Sequence, residues 1–274
     1  MSQESAYVTG GASGIGKEVV RMLVKNNIRV FVADRDQEGA QKLADELNKA
    51  SDHAVCVSHV DVADWNSQAK AFSQAVADFG RIDYVYPIAG IGEKPWIPND
   101  PSSSGFVMPN LSAIDIDLTG VLYTVGLAVQ QFRRQEPGKN GFRGKSQNLT
   151  ITVPIYTAAK HGVTGFVRSY GKYLPEEKIT LNSVNPNVIR TNISTASFYD
   201  SLEDKGLLTP IEGVVDAFEK LLGTNDTSGE IFEIGPNWKK QGPVKKKAPE
   251  YLDKESETVI DLIYQRSRPL HLPR

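Results

Sequence analysis

The sequence is poor in the residues that build disulfides and metal sites. Its 274 residues include one cysteine, Cys56, and four histidines, His53, His59, His161 and His271. A single cysteine excludes an internal disulfide and is typical of a reducing compartment, so we expect a cytoplasmic protein. The histidines lie far apart and none has the spacing of metal ligands, so no metal site is expected.

The chain also lacks an excess of charge of one sign and a long apolar run. Lysine and arginine total 31 residues against 33 aspartates and glutamates, a formal net charge of −2. No apolar run approaches the ~20 residues of a membrane helix, and no signal-peptide core follows the first methionine. This balance gives no general attraction to nucleic acid or membrane, so we expect a small-molecule substrate as the partner.

Short apolar segments alternate with amphipathic ones along most of the chain. The predicted strands are 7–8, 28–33, 54–60, 82–86, 149–153, 179–184 and 230–234, and the predicted helices are 17–26, 39–49, 65–79, 111–134, 156–173 and 210–222. This alternation predicts βαβ units and a parallel sheet. We therefore expect an α/β fold with a doubly wound parallel sheet, forming a single domain over 1–238 with a small substrate lid near 191–213.

The C-terminal segment 239–274 differs in character from the rest. It begins with a basic run of five lysines over 239–247, which is interpreted as a solvated tail rather than a nuclear signal. The apolar residues of 259–264 predict a short helix that docks on the domain.

A glycine-rich turn follows the first predicted strand and leads into the first helix. It contains Thr9, Gly10, Gly14 and Gly16. Glycines let the backbone turn tightly and approach a pyrophosphate, and the start of the helix offers free N–H groups and a positive dipole end. Because any tight turn can hold glycines, the turn alone is weak evidence for a dinucleotide site.

Asp34 ends the second predicted strand, where a carboxylate can accept hydrogen bonds from an adenosine ribose. Its negative charge would repel a 2′-phosphate and favours NAD as the cofactor. Arg35, the next residue, can hold such a phosphate, so NADP is not excluded.

Tyr156 and Lys160 are four residues apart on a predicted helix, so both side chains leave the same face. A phenol normally titrates near pH ~10, and a neighbouring ammonium lowers that pKa. A phenol tuned in this way can exchange a proton with a carbonyl or alcohol oxygen. The same spacing also occurs in ordinary helices that carry a tyrosine and a solvated lysine.

Taken together, these motifs resemble the short-chain dehydrogenase/reductase family over about residues 5–238. The matching positions continue with Asp61 and Val62, Ala89 and Gly90, and the segment 185–191. The resemblance implies a Rossmann fold, an NAD(P) cofactor and the interconversion of a secondary alcohol and a ketone. The sequence is also similar to fungal enzymes that tailor metabolites. Members of the family often form dimers or tetramers through the helices that correspond here to 111–134 and 156–173, so the resemblance implies a homo-oligomer.

The resemblance also implies a set of cofactor-binding residues. They are Gly10, Ser13, Gly14, Ile15, Gly16, Asp34, Asp61, Val62, Ala89, Gly90, Tyr156, Lys160, Ile189 and Thr191. Asp61 would contact the adenine amine, and Ile189 with Thr191 would hold the nicotinamide carboxamide. Lys160 would bind the nicotinamide ribose and lower the pKa of Tyr156. From local sequence alone, Thr191 is equally a helix N-cap.

Two departures from the family pattern affect the centre of the sheet and the proton relay. Pro87 and Ile88 stand where the family has two asparagines, so amides that normally brace the sheet are missing. Asp117 stands where the family has the asparagine of its proton relay. A carboxylate can hold a relay water but adds a negative charge, and Asp117 is equally interpreted as a buried or hydrated helix residue.

A third departure concerns the serine that the family places before its tyrosine to hold the substrate oxygen. A segment of that loop is missing here, and loss of a coding segment would leave the same gap. Thr152 is then the nearest hydroxyl and is predicted to be catalytic beside Tyr156 and Lys160, with Thr150 and Ser146 behind it. Thr152 is also interpreted as only a β-branched strand residue.

The remaining expectations concern the substrate and the reaction class. Residues placed to line an apolar substrate pocket are Trp96, Tyr123, Phe198, Tyr199, Leu207 and Leu208. Two alternatives to redox chemistry stay open. The missing serine and the altered relay favour an isomerase or cyclase on the same scaffold, whereas a catalytically inactive relative would bind a ligand without turnover.

Overall fold

One mostly parallel sheet organises the chain. The computed structural model describes residues 3–49, 55–97, 105–149 and 154–272. Its strands are β1 (Ser5–Thr9), β2 (Arg29–Asp34), β3 (Val55–His59), β4 (Tyr84–Pro87), β5 (Gly144–Leu149), β6 (Ile179–Pro186), β7 (Ile231–Ile234) and β8 (Val244–Lys245). They lie in the order β3-β2-β1-β4-β5-β6-β7-β8, with β8 alone antiparallel to its neighbour.

Helices cover both faces of this sheet. They are α1 (Gly14–Lys25), α2 (Gln37–Asn48), α3 (Trp65–Phe79), α4 (Ser112–Ile114), α5 (Gly120–Arg133), α6 (Pro154–Tyr170), α7 (Ala196–Glu203), α8 (Ile211–Lys220), α9 (Trp238–Gln241) and α10 (Lys254–His271). A π-helical turn, Asp115–Thr119, joins α4 to α5, and a 3₁₀ turn, Leu174–Glu177, precedes β6. The predicted α/β fold with a doubly wound parallel sheet is confirmed.

The strand order places a crevice beside β1. β1 pairs with β2 on one side and with β4 on the other. The strands before β4 in the chain therefore extend the sheet to one side of β1, and those from β4 onward extend it to the other side. Alternate residues of β1 enter different cores: Val8 packs on the side of α1 and α8, and Tyr7 packs on the side of α3 and α5. Ligands of such folds bind where the strand order reverses, outside the carboxyl ends of the strands.

The fifth strand lies earlier than the predicted 149–153. β5 pairs in register with β6 from Gly144 opposite Ile179 onward, although its side chains are polar. Lys145, Ser146 and Gln147 are all buried, and Lys145 lies over the Phe142 ring and donates to the Asn225 carbonyl. Backbone pairing in the middle of the sheet therefore overrides the polar sequence of this segment.

The helix predicted over 111–134 is interrupted by the π-helical turn, but its apolar character remains. By length and composition alone, Ser112–Arg133 is apolar enough to cross a membrane, although Asp115 and Asp117 interrupt its apolar residues. Its residues Val121, Val125 and Val129 are buried in the core of the domain. Packing against the sheet thus accounts for the apolar composition of this helix.

The C-terminal residues attach to the domain at two places. β8 pairs with β7, and Lys245 and Lys246 form ion pairs with Glu230 and Glu233. α10 docks by stacking Tyr264 on Tyr173, with ring centroids 4.5 Å apart. The predicted docking helix is confirmed and is longer than expected. These two lysines of the basic run are exposed, as expected of a solvated segment, and also form ion pairs.

Candidate active site

The backbone of the glycine turn between β1 and α1 leaves no room for a side chain at two of its glycines. Gly10 has φ +71°, and a Cβ there would lie 2.6 Å from the Ala89 Cα. A Cβ on Gly16 would lie 2.0 Å from the Gly10 carbonyl oxygen. Ser13 is the N-cap of α1 but its side chain makes no capping hydrogen bond. The turn therefore keeps the backbone N–H groups at the helix start accessible to an anionic ligand.

This turn forms one wall of a cleft of about 310 Å³ at the carboxyl ends of β1, β2 and β4. Predicted cofactor residues that line it are Gly10, Ser13, Gly14, Ile15, Gly16, Asp34, Asp61, Val62, Ala89, Gly90 and Thr191. Ile189 instead packs in the hydrophobic core. The close backbone approach at Gly10 and the carboxylates of Asp34 and Asp61 fit an elongated dinucleotide with a pyrophosphate and two riboses.

Asp34 has a second function that the sequence did not reveal. Its Oδ2 accepts the Ala12 N–H at 2.9 Å, and its Oδ1 accepts the Asp36 N–H at 2.9 Å. The carboxylate thereby holds the glycine turn in place while it faces the cleft. The exposed Arg35 also lines the cleft. The carboxylate that would repel a 2′-phosphate and the guanidinium that would attract it are therefore neighbours in the cleft wall.

The wall opposite the glycine turn is formed by the residues after β4. The Ile88 N–H donates to the Thr9 carbonyl at 3.2 Å, and the Ala89 N–H donates to the Thr9 hydroxyl at 3.3 Å. Backbone bonds therefore brace β4 against β1 although the family's asparagine amides are absent. A Cβ on Gly90 would lie 2.4 Å from Oδ1 of Asp117, so this segment requires glycine.

Tyr156 and Lys160 lie on the first two turns of α6 and are buried, with 5% and 3% of their surfaces exposed. The Lys160 Nζ is 5.2 Å from the centre of the Tyr156 ring. Burial, followed by the charge of Asp117 and the neighbouring Tyr199, raises the pKa of Tyr156. This direction is opposite to the lowered pKa expected from the sequence.

Asp117 is the charged group that adds to the effect of burial on the Tyr156 pKa. The carboxylate is fully buried in the π-helical turn, and its Oδ1 lies 3.6 Å from the Lys160 Nζ. Oδ1 also accepts the Ile91 N–H at 3.0 Å, while Oδ2 is buried without a hydrogen-bond partner among the described residues. Burial raises the pKa of Asp117 to about 6, against the opposing effects of Lys160 and the Ile91 N–H. Asp117 is thus an ion-pair partner of Lys160 and not a hydrated helix residue.

Glu93 is a site residue that the sequence did not indicate. Its Oε2 accepts the N–H of Tyr156 at 2.8 Å, and its Oε1 accepts the N–H of Ile155 at 3.2 Å. A carboxylate at the start of a helix satisfies N–H groups that lack partners and favours the dipole. No local motif distinguishes Glu93, because it belongs to a loop more than sixty residues away in sequence.

Three hydroxyls were candidates to replace the family's serine. Thr150 and Thr152 lie outside the described residues. Ser146, the third candidate, lies in β5 with its Oγ buried and without a partner in the described part of the chain. It shares a sheet face with Gly144, which contacts Phe132 of α5, so Ser146 faces the α5 side. The catalytic role of Thr152 stays a prediction.

The predicted lid contains α7 and lies over the glycine turn. The Tyr199 hydroxyl is 3.2 Å from the Thr191 Oγ1, and a Cβ on Gly14 would lie 3.3 Å from the Thr191 Cγ2. Thr195, not Thr191, is the N-cap of α7, so the alternative for Thr191 is wrong. Tyr123, placed in a substrate pocket from sequence, packs on Trp65 with ring centroids 5.4 Å apart.

Several curated proteins have sequences similar to this chain. Short-chain dehydrogenase/reductase prx7 of Penicillium rubens is 27% identical over 245 residues, covering 80% of this chain and 83% of that protein. The (−)-trans-carveol dehydrogenase of Rhodococcus erythropolis is 30% identical over 206 residues, covering 68% and 71%. The (+)-borneol dehydrogenase 2 of Salvia officinalis is 29% identical over 197 residues, covering 70% and 66%.

Crystal structures with the same fold include two with a nicotinamide cofactor in their descriptions. The 3-ketoacyl-(acyl-carrier-protein) reductase of Brucella melitensis, complexed with NADH, has a TM-score of 0.72 at 22% identity, covering 86% of this chain and 98% of that one. Actinorhodin polyketide ketoreductase with NADPH has a TM-score of 0.69 at 23% identity, covering 85% and 97%. At this identity the likeness shows the fold.

The family model described as short chain dehydrogenase matches residues 4–201, a span that includes the glycine turn, Asp34, Asp117, Tyr156 and Lys160. That span is well over half of the chain. The protein is therefore an oxidoreductase that belongs to the short-chain dehydrogenase/reductase family.

Proposed function

We propose that the protein interconverts a secondary alcohol and a ketone on a small, apolar metabolite with a nicotinamide dinucleotide as cofactor. The observation that carries this proposal is the buried Lys160, which shares a helix face with the buried Tyr156 and whose Nζ would lie 3.6 Å from a Cβ on Gly90 of the cleft wall, although neither Tyr156 nor Lys160 lines the cleft itself. Membership of the family and the names of the carveol and borneol dehydrogenases, which refer to alcohols, support it.

The bound cofactor supplies or takes up the hydride. In the reductive direction, the substrate carbonyl carbon gains the hydride and its oxygen gains the proton of the Tyr156 hydroxyl, which then regains a proton from solvent. Lys160 is proposed to hold the nicotinamide ribose and to supply a positive charge beside the phenol. Thr152 is proposed to donate a hydrogen bond to the substrate oxygen.

NAD is the proposed cofactor in preference to NADP. The Asp34 carboxylate lies at the cleft wall and accepts the N–H groups of Ala12 and Asp36, and it forms no ion pair with the residues that the structure describes. A 2′-phosphate would lie next to this charge and be repelled. The positive charge of Arg35 at the same wall would attract a 2′-phosphate, so NADP is the alternative cofactor.

An apolar substrate is proposed from the side chains around the lid. Ile193, which lines the cleft, and Phe198 of α7 are each more than 40% exposed, and Phe198 contacts the ring of Tyr199. Trp96, in the segment after β4, is exposed to a similar extent. Exposed aromatic and aliphatic side chains at the mouth of a cleft favour an apolar ligand.

We also expect the protein to form a homo-oligomer. Light scattering of the purified protein would measure its mass in solution and test this expectation.

The test is the oxidation of NADH and NADPH, followed by absorbance, with a panel of apolar ketones. Tyr156→Phe should abolish turnover and leave cofactor affinity nearly unchanged, because the ring still packs but its proton is lost. Tyr170→Phe is the matched control on the same helix and should behave like the parent protein. Full activity in Tyr156→Phe would refute the redox proposal.

A non-redox isomerase or cyclase is the second candidate. It is favoured by Asp117, whose negative charge lies against Lys160 where the family has a neutral amide. In that case the substrate would be converted without any net change in cofactor absorbance. Mass spectrometry of the products would show an isomer of the substrate rather than a species differing by two hydrogens.

A further inference from the structure

Asp117 places a buried carboxylate beside Lys160 of the candidate site. It lies 3.6 Å from the Lys160 Nζ, and both side chains are almost completely buried, at 0% and 4% exposure. The backbone of Gly90 closes over the pair, since a Cβ there would meet both Asp117 Oδ1 and Lys160 Nζ within 3.6 Å. The two charges are therefore held together beneath the cofactor cleft and screened little by water.

The ion pair changes what Lys160 does to the phenol. An isolated ammonium 5.2 Å from the Tyr156 ring would stabilise the phenolate strongly in a buried site. A carboxylate beside that ammonium makes the pair electrically neutral and cancels most of this effect. An asparagine at position 117 would leave the ammonium uncompensated.

The titratable and charged groups that face Tyr156 come from four elements, and the anionic ones outnumber the single cation among the described residues. Lys160 lies on its own helix, Asp117 on the π-helical turn, Tyr199 on α7, and Glu93 on the loop after β4. Lys160 is the cation of this set, while Asp117 and Tyr199 both oppose ionisation of the phenol. The Glu93 carboxylate accepts the Tyr156 backbone N–H, so it adds a further negative charge nearby.

We propose that Asp117 acts through Lys160 to keep the Tyr156 phenol protonated across neutral pH, so that the enzyme works as a ketone reductase and oxidises alcohols only in alkaline solution. Asp117 is then a positioning residue that sets the working direction of the site. This inference rests on the proposed alcohol–ketone function.

The two directions place opposite demands on Tyr156. Reduction transfers a hydride from the reduced cofactor to the carbonyl carbon and the phenol proton to the carbonyl oxygen, giving a secondary alcohol and oxidised cofactor. Oxidation begins with the phenolate, which takes the alcohol proton as the hydride leaves the carbon. A protonated phenol is therefore ready for reduction, and oxidation must wait for its ionisation.

The first experiment measures kcat and KM against pH in both directions for one ketone and its alcohol. In the parent protein, reduction should vary little across neutral pH, while kcat for oxidation should rise about tenfold per pH unit without a plateau below pH ~10. In Asp117→Asn the rise should move to lower pH by about one unit or more. Asp115→Asn, an exposed neighbour in the same turn, should match the parent.

The second experiment reads the phenol directly and does not depend on turnover. Phenolate absorbance is titrated in the parent and in Tyr156→Phe, and the difference isolates one of ten tyrosines. The same difference is measured in the Asp117→Asn background, where Tyr156 should ionise at lower pH. Circular dichroism confirms that each variant is folded.

The outcomes separate the two proposals. Titration of Tyr156 near neutral pH in the parent, or an unchanged titration in folded Asp117→Asn, would overturn the inference about Asp117 even if the enzyme is active. Absence of redox turnover at every pH would overturn the proposed function, while the absorbance titration would still decide the role of Asp117. If Asp117→Asn does not fold, the parent oxidation profile decides: a plateau at neutral pH overturns the inference.

Discussion

The Glu93 carboxylate accepts the backbone N–H of Tyr156 at 2.8 Å. Glu93 follows residues 88–92, which line the cofactor cleft, and Tyr156 lies on the first turn of α6. One side chain therefore joins the cleft wall to the helix that carries the proposed proton donor. Displacement of either element would be transmitted to the other through this contact.

Replacement of Glu93 should weaken both stability and catalysis. Glu93→Ala removes the acceptor for two N–H groups at the start of α6 and should lower the free energy of unfolding by about 1 kcal/mol, as for loss of a helix cap. The value of kcat should fall more than KM changes, because Tyr156 is held less firmly. Urea denaturation and steady-state kinetics measure both effects. Lys94→Ala, at the exposed neighbouring position, should have little effect; equal losses in the two variants would refute a specific role for Glu93.

Asp34 should control both the choice of cofactor and the order of the glycine turn. Asp34→Ala should bring the affinities for NAD and NADP closer together, because the charge that repels a 2′-phosphate is removed. Binding of both cofactors is measured by calorimetry. Arg35→Ala should reduce NADP affinity alone. Tighter binding of NADP than of NAD by the parent protein would contradict the proposed preference.

Two glycines provide a matched test of the packing around the ion pair. Gly90→Ala places a methyl group 2.4 Å from the Asp117 carboxylate and must displace the Asp117–Lys160 pair, so kcat should fall at least tenfold. Gly126→Ala in α5 meets no atom within 4 Å and should be neutral, or stabilising by about 1 kcal/mol. Kinetics and thermal unfolding report the two effects. Similar kinetics for both variants would show that the pair tolerates movement.

The raised pKa of Asp117 predicts a pH dependence of stability. Because the pKa is raised to about 6 by burial, the folded protein binds this proton more tightly than the unfolded chain does. The stabilisation from this group is fully present below pH ~4, the usual carboxyl range, and is lost as pH rises through 6. The stability of the parent relative to Asp117→Asn should therefore decline between pH 4 and pH 7. Urea denaturation across this range checks the trend, and Asp115→Asn should run parallel to the parent.

Local constraints made part of the site predictable from sequence. Tyr156 and Lys160 share a helix face whatever the surrounding fold, and the collision at Gly10 is a property of a tight strand-to-helix turn. Asp34 was predictable because it ends a strand next to that turn. In each case the residues that specify the feature lie close together in the chain.

Contacts between distant segments were not predictable in the same way. The sequence identified Asp117 as a departure from the family but could not show its approach to Lys160, since the two residues meet only through tertiary packing. Glu93 carried no signal at all. The position of β5 was misjudged because Lys145, Ser146 and Gln147 break the apolar pattern expected of a central strand, and pairing with β6 decides their structure.

The short strand β8 has a consequence for the protein in concentrated solution. A strand at the rim of a sheet exposes unpaired backbone groups to which a second chain can add, which is a common start of aggregation. β8 covers that rim at β7 and carries the charged side chains of Lys245 and, just beyond it, Lys246. Natural sheets use charged and very short terminal strands to discourage such additions. The basic segment thus shields the sheet against self-association of the kind that leads to fibrils.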